Sequence, residues 1–286
     1  MRDGAFRDYG DSPLAIPRPD RARRWRRILS YREVERIRRP VVDLVCYRIP
    51  ARLPAAAGLR LAFASDFHFS GTREDLTIAE QAAERIAEFR PDLLLLGGDL
   101  SSEADRLERL PELLELFRRT APVRLAVSGN WESGKEWLSN DFWRKLYEDA
   151  GIRFLCNEFH IDSRISVYGC DELATGTPRL PRTWPEGRFH LLLVHRPDTV
   201  IALDHNNALA PVELALTGHT HGGQVRFPGI GPVFASSRYG CKFAYGEFLR
   251  RETGVRMIVS GGVGHRSFPF RFRCRREVLG IELVQS

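Results

Sequence analysis

The feature that most constrains the fold is a recurring unit: a short apolar run, a polar stop, then a stretch of helical character. Leu59–Ser65 is apolar enough to lie inside a sheet and ends at Asp66-Phe67-His68. Residues 72–89 follow with Leu76, Ala79, Ala82, Ala83 and Ile86 on one helical face, and Thr72 with Asp75 is placed as a capping box. Asp92–Leu96 repeats the apolar run and stops at Gly97-Gly98-Asp99. Helical sequence follows from 103 to 119, with a break expected at Pro111. Val123–Val127 is the third run, ending at Ser128-Gly129-Asn130-Trp131-Glu132. Strand, loop and helix in alternation indicate βαβ units on a parallel sheet.

After a helix near 136–150 the pattern changes to short strands, at 152–156, 159–162, 165–169 and 189–194, the last ending at His195. Val212–Leu216 leads into Gly218-His219-Thr220-His221-Gly222-Gly223-Gln224, and residues 224–284 read as strands and glycine turns. The second half therefore supplies a second sheet. The expected fold class is α/β (α+β), a sandwich of two mixed sheets flanked by helices, with one domain over 41–286 and a separate N-terminal arm over 1–40.

The arm stands out by charge. Residues 1–50 hold 13 Arg against 7 acidic residues, which accounts for the whole net charge of +6; the rest of the chain is balanced. Residues 1–20, rich in Gly, Pro, Asp and Arg, are expected to be poorly ordered. Over 21–39, Trp25, Ile28, Leu29, Tyr31, Val34 and Ile37 interrupt nine arginines at roughly helical spacing. That is the pattern of a helix packed on the body with a solvated arginine face; the alternative is a basic amphipathic helix suited to an anionic membrane surface. A neutral body argues against nucleic acid as a partner. Five scattered cysteines form no C-x-x-C pair, which points to a reducing compartment and away from a cysteine zinc site. No apolar run reaches the roughly 18–20 residues of a membrane span, and no export signal is complete. The expected location is cytoplasmic, with peripheral attachment to the inner membrane surface through the arm as the alternative its helix leaves open.

Five polar stops share one property: Asp66/His68, Asp99, Asn130, His195 and His219/His221 each follow an expected strand. Ligand sites in α/β sheets gather at the carboxyl ends of strands. Taken singly, each has an ordinary explanation as a cap, a turn residue or a core histidine. Together they supply two Asp, one Asn and four His with no Cys, a donor set that suits manganese, iron or zinc. Seven donors are about enough for two metals if one carboxylate bridges them, the arrangement that clamps a phosphoryl group and activates a water.

The ordered set Asp66-Phe67-His68, Gly98-Asp99, Gly129-Asn130, His195 and Gly218-His219-Thr220-His221 closely resembles the calcineurin-like metallophosphoesterases. The resemblance runs over residues 41–286. It is similar to a bacterial phosphodiesterase-like branch in Gly222-Gly223-Gln224, in Ser260-Gly261-Gly262-Val263-Gly264 and in Phe268-Pro269-Phe270-Arg271-Phe272. It implies a four-layer αββα sandwich, and two divalent transition metals with manganese favoured. Asp66, His68 and His221 would hold one metal; Asn130, His195 and His219 would hold the other, with Asp99 between them. A metal-bridging hydroxide would be the nucleophile, and Asp99, Asn130 and His195 would be catalytic.

The third motif departs from that family. Gly129-Asn130 is followed by Trp131-Glu132 where the family usually has a histidine that contacts the scissile phosphate and helps the leaving group depart. An indole N–H donates a hydrogen bond but delivers no proton. Glu132, Lys135 and His265 are replacement candidates by position, and Trp131, Glu132 and His265 are the expected substrate contacts. The departure favours diesters or pyrophosphates, whose leaving groups are weak bases. A sharper expectation within the same chemistry is a lipid-linked substrate such as UDP-2,3-diacylglucosamine, and the rival from another class is a metal-bound scaffold without catalysis.

Overall fold

Every residue of Leu93–Leu96 is buried, because this strand has an apolar layer on both faces. Leu93 and Leu95 point into the core between two sheets, against Leu191, Leu193, Leu214 and Leu216. Leu94 and Leu96 point outward onto a helical layer with Ile78, Ala82 and Leu113. Two-fold alternation inside a fully apolar run is how one strand serves two cores.

The computed structural model describes residues 6–7, 19–28, 32–35, 41–101, 104–134, 138–265 and 270–286. Among them are two seven-stranded sheets. The first runs Arg32–Glu35 (β3), Val42–Ala51 (β4), Arg276–Gln285 (β18), Arg60–Ala64 (β5), Leu93–Leu96 (β6), Val123–Ala126 (β7) and Arg153–Phe154 (β8). The second runs Trp25–Ile28 (β2), Gly246–Arg250 (β16), Arg256–Val259 (β17), Leu214–Thr217 (β13), Phe189–Leu193 (β12), Ile165–Gly169 (β10) and Glu158–Ile161 (β9). Two short antiparallel pairs lie outside them: Phe6–Arg7 (β1) with Leu180–Pro181 (β11), and Arg226–Phe227 (β14) with Gly231–Pro232 (β15). Both large sheets are mixed: β5 to β8 are parallel and β18 is antiparallel to β5, while β10, β12, β13 and β17 are parallel and β9 and β16 are antiparallel.

Helices Arg73–Phe89 (α2), Leu110–Glu115 (α3) and Asn140–Asp149 (α5) cover the first sheet, through Ile86, Leu113 and Trp143 among others. Helix Pro197–Leu203 (α6) covers the second through Val200, Ile201 and Leu203. The result is the expected four-layer αββα sandwich. Thr72 caps α2 as expected, its hydroxyl accepting the Asp75 N–H at 3.1 Å. The helical stretch divides beside Pro111: a 3₁₀ segment, Ala104–Arg109, gives way to α3, and Pro111 sits in the first turn of α3, where its missing N–H leaves no bond unmade. Helix α6 is an addition to the elements expected from the sequence, and all its residues are buried.

The helix expected over 21–39 is not formed across the described residues. A short helix, Pro19–Arg23 (α1), is followed by β2, which pairs with the β16 edge, and β3 pairs with β4. Trp25 is only 2% exposed and packs with Phe248 and Met257 in the core behind the second sheet, so it offers nothing to a membrane. Residues 1–5, 8–18, 29–31 and 36–40, with the expectations placed on them, lie outside the described residues. No described helix is long and apolar enough to cross a membrane.

Candidate functional site

The parallel strands of both sheets end at one edge of the sandwich, and the seven expected donors meet there. Asp66 and His68 follow β5, Asp99 follows β6, and Asn130 follows β7 as the first residue of a one-turn helix, Asn130–Ser133 (α4). His195 follows β12, and His219 and His221 follow β13. Asn130 is half-buried and the other six are buried.

Two groups form. Asp66, His68 and His221 converge in one, with His68 Nε2 at 2.9 Å from His221 Nε2 and His221 Nε2 at 3.6 Å from Asp66 Oδ1. Asp99, His195 and His219 converge in the other, where His195 Nε2 lies 3.1 Å from His219 Nδ1, 3.1 Å from Asn130 Oδ1 and 3.2 Å from Asp99 Oδ2. The same Asp99 Oδ2 is 3.5 Å from His68 Nε2, so one carboxylate oxygen faces both groups. Atoms bound to one ion at about 2.1 Å lie about 3.0–3.4 Å from each other. The observed spacings, from 2.9 to 3.6 Å, lie close to those edges, so each donor group fits a divalent cation.

The backbone is bent to achieve this. Asp66, His68, Asp99, His219 and His221 all have positive φ, between 46° and 70°. Left-handed non-glycine residues carry a cost of about 1–3 kcal/mol each and tend to mark functional sites. Neighbouring glycines allow the close approach: a Cβ on Gly218 would lie 2.2 Å from Asp66 Oδ2, and one on Gly129 would lie 2.2 Å from Asp99 Oδ1. The His219 N–H donates to both Asp66 oxygens, at 3.0 and 2.9 Å, and Ser65 Oγ donates to Oδ2 at 2.6 Å. His195 Nδ1 sits 2.7 Å from the Gly97 carbonyl, which leaves Nε2 facing the cluster.

Burial and the neighbouring charges set the protonation of these groups when no cation is bound. Burial disfavours the His195 imidazolium, but the Asp99 carboxylate outweighs it and the pKa is pushed up to about 10. Asp99 moves the opposite way: burial raises it, and the facing histidines hold it below the usual carboxylate range. Burial pushes Asp66 up to about 6, and burial with the His68 charge pulls His221 well down.

Of the residues expected to touch substrate, Trp131 lies beside the first donor group. Its indole meets the His68 ring edge-on at 5.8 Å between centroids, and its backbone N–H donates to Asp99 Oδ1 at 2.9 Å. Glu132 is not at the surface of the site. It is fully buried, and its carboxylate accepts the backbone N–H groups of Asp99 (2.9 Å), Gly129 (2.8 Å) and Leu100. Burial and the nearby Asp99 charge raise it to about 7. It positions the loops after β6 and β7. His265 is half-buried and its charged surroundings are Asp75, Arg276, Arg271 and Glu74, none of them a member of either group. Lys135 lies outside the described residues.

Arg271 carries a role that its sequence neighbourhood hides. It alternates with two exposed phenylalanines, yet its guanidinium turns inward, donating to the carbonyls of Gly261 (2.8 Å) and Gly264 (2.9 Å), with Nη2 at 3.3 Å from His221 Nδ1. A cleft of about 380 Å³ opens beside the second group, lined by Asn130, His219, Arg196, Phe234, Ser237 and Arg238. The guanidinium groups of Arg196 and Arg238 lining this cleft suit an anionic substrate.

The family described as Calcineurin-like phosphoesterase matches residues 59–223, more than half the chain and all seven donors. The chain is 29% identical over 241 residues to YkuE of Bacillus subtilis (strain 168), an uncharacterized metallophosphoesterase, covering 80% of each chain. It is 29% identical over 252 residues to the phosphodiesterase YaeI of Escherichia coli (strain K12), covering 85% of this chain and 88% of that one. An uncharacterized metallophosphoesterase of Aquifex aeolicus (strain VF5) is 28% identical over 251 residues, covering 81% of this chain and 87% of its own.

Proposed function

The chain belongs to the calcineurin-like phosphoesterase family and is a metal-dependent hydrolase of phosphoric esters; on that premise we propose that it uses two divalent cations to cleave a phosphodiester or pyrophosphate bond. The observation that carries this reading is the single Asp99 Oδ2 shared between the two groups, 3.2 Å from His195 and 3.5 Å from His68. In the proposed assignment Asp66, His68 and His221 hold one cation, Asn130, His195 and His219 hold the other, and Asp99 serves both. Cations held by these residues would supply Lewis-acid polarisation of a phosphoryl group and a water acidic enough to serve as nucleophile.

The protein's own groups do the rest. The Gly97 carbonyl fixes the His195 ring so that Nε2 faces the cluster. Asn130 stands at the cleft and next to His195, within reach of a phosphoryl oxygen. Arg196 and Arg238 offset substrate charge, and Arg196 is held by its ion pair with Glu172. Trp131 fills the place beside His68 without a transferable proton, so leaving groups that depart unaided are favoured. The name of the relative YaeI, a phosphodiesterase, is in keeping with this choice.

The test compares leaving groups. Metal-loaded wild type should hydrolyse bis(p-nitrophenyl) phosphate and leave monoesters of aliphatic alcohols nearly untouched, and His195→Ala should abolish the diester activity. Trp131→His should raise aliphatic monoester turnover by about 10²-fold or more, the usual worth of a general acid. Diester activity that survives in His195→Ala, or a Trp131→His variant with no gain on monoesters, contradicts the reading.

A further inference from the structure

Six of the nine exposed large apolar side chains among the described residues fall on one strip: Phe227, Ile230, Val233, Phe234, Phe270 and Phe272. Exposed apolar residues scattered singly carry no meaning, but a contiguous set does. Ile230, at 76% exposed, is at the tip of the β14–β15 hairpin between Gly229 and Gly231, which both have positive φ. Phe227 packs on Phe272 at 5.6 Å between centroids, and Phe272 stacks with Phe270 at 6.4 Å. These rings join the two chain segments that carry the strip, 227–234 and 270–272. The strip is also tied to the site. The Phe272 N–H donates to the Gln224 carbonyl at 2.8 Å, three residues after His221, and Phe234 lines the cleft beside Asn130 and His219.

The charge around the strip has one sign. A hollow of about 750 Å³ at the hairpin base is lined by Arg27, Arg226 and Arg273 together with Phe227, Pro228 and Ile230, and no acidic side chain lines it. An isologous contact centred on this hollow would bring two patches of like charge together, with no acidic side chain in the hollow to pair with the arginines. An anionic bilayer instead offers negative headgroups to the arginines and an apolar layer to the rings, the combination that holds proteins at a membrane interface.

We propose that this strip, and not an amphipathic helix over 21–39, docks the protein on an anionic phospholipid bilayer, with the hairpin tip in the interfacial layer and the arginine-lined hollow, to which Arg27 of β2 contributes, over lipid headgroup phosphates. The cleft rim then lies at the bilayer surface, so the substrate of the site proposed above is carried by, or delivered at, that surface. The docking claim does not need that catalytic reading, because binding is read without turnover.

The experiment is vesicle cosedimentation of the full chain, with phosphatidylcholine vesicles containing phosphatidylglycerol and with phosphatidylcholine alone. Wild type should sediment with the anionic vesicles and stay in solution with the neutral ones. The double variant Phe227→Ser with Ile230→Ser should lose at least about tenfold in affinity, as expected from two apolar side chains no longer buried. Arg273→Glu should lose the preference for anionic vesicles. All three proteins should keep the same hydrolysis of soluble bis(p-nitrophenyl) phosphate and the same melting temperature, which separates a docking defect from misfolding or from failure of the catalytic reading. Wild type that ignores both vesicles, variants that bind as well as wild type, or a strip that proves by light scattering to be buried between two copies would each overturn the proposal.

Discussion

At the scale of single residues, His195 is the clearest example of a side chain defined by its surroundings. Its ring is fully buried, anchored at Nδ1 by the Gly97 carbonyl, and turned toward the Asp99 carboxylate. Without a cation, the imidazolium is the favoured form, with a pKa pushed from 6.5 to about 10. A raised folded-state value means that the charged ring stabilises the fold fully below pH 6.5, and that this contribution is lost as pH rises toward 10. A cation at Nε2 requires the neutral ring, so binding must release that proton, and affinity should rise over the same pH window. Thermal unfolding of metal-stripped protein across that window should show a falling melting temperature whose slope is reduced in His195→Ala. Equal slopes in the two proteins would show that His195 does not hold the proton. Arg271 makes the same point in reverse. Its motif reads as an aromatic tail, and only the fold shows the guanidinium turned inward beside His221.

At the scale of elements, the loops after β6 and β7 are held in register by Glu132, which reaches from α4 to three backbone N–H groups. Glu132→Gln replaces one acceptor oxygen with an N–H₂ that faces donors. It should cost about 1–3 kcal/mol of stability, the usual range for leaving buried polar groups unsatisfied. Calorimetry should show the lower melting temperature, while turnover recovers when metal is saturating. An unchanged melting temperature with lost turnover would instead make Glu132 a catalytic group. Much at this scale is legible in the sequence. Strands β5, β6 and β7 are dense apolar runs that end abruptly at Asp66, Gly98-Asp99 and Gly129-Asn130, and local pattern alone locates them. What is not legible depends on distant partners. The Arg-rich segment around Trp25 has spacing compatible with a helix, yet it is a strand because the β16 edge and the pocket behind it are there to receive it. In α6, Val200 and Ile201 favour a strand by type, and burial on the outer face of the second sheet overrides them. Glu132 follows a ligand-like motif that points it at the substrate, whereas its buried role depends on N–H groups some thirty residues away.

At the scale of the whole molecule, each donor group is built from both sheets. Asp66 and His68 come from the first sheet and His221 from the second; Asp99 and Asn130 come from the first, His195 and His219 from the second. Cations bound there would join the two halves of the sandwich at the edge where positive φ angles concentrate strain. Both strips of chain that leave this edge, 224–234 and 270–272, also carry the apolar surface, so substrate access and surface docking share one side of the molecule. The most direct test of the account is metal content measured on the purified chain together with chelation. Wild type should carry about two divalent transition-metal ions per chain, His219→Ala and His221→Ala should each carry fewer, and diester hydrolysis should vanish on chelation and return on adding manganese. A chain that binds no transition metal, or that hydrolyses the diester at full rate in the presence of the chelator, would contradict it.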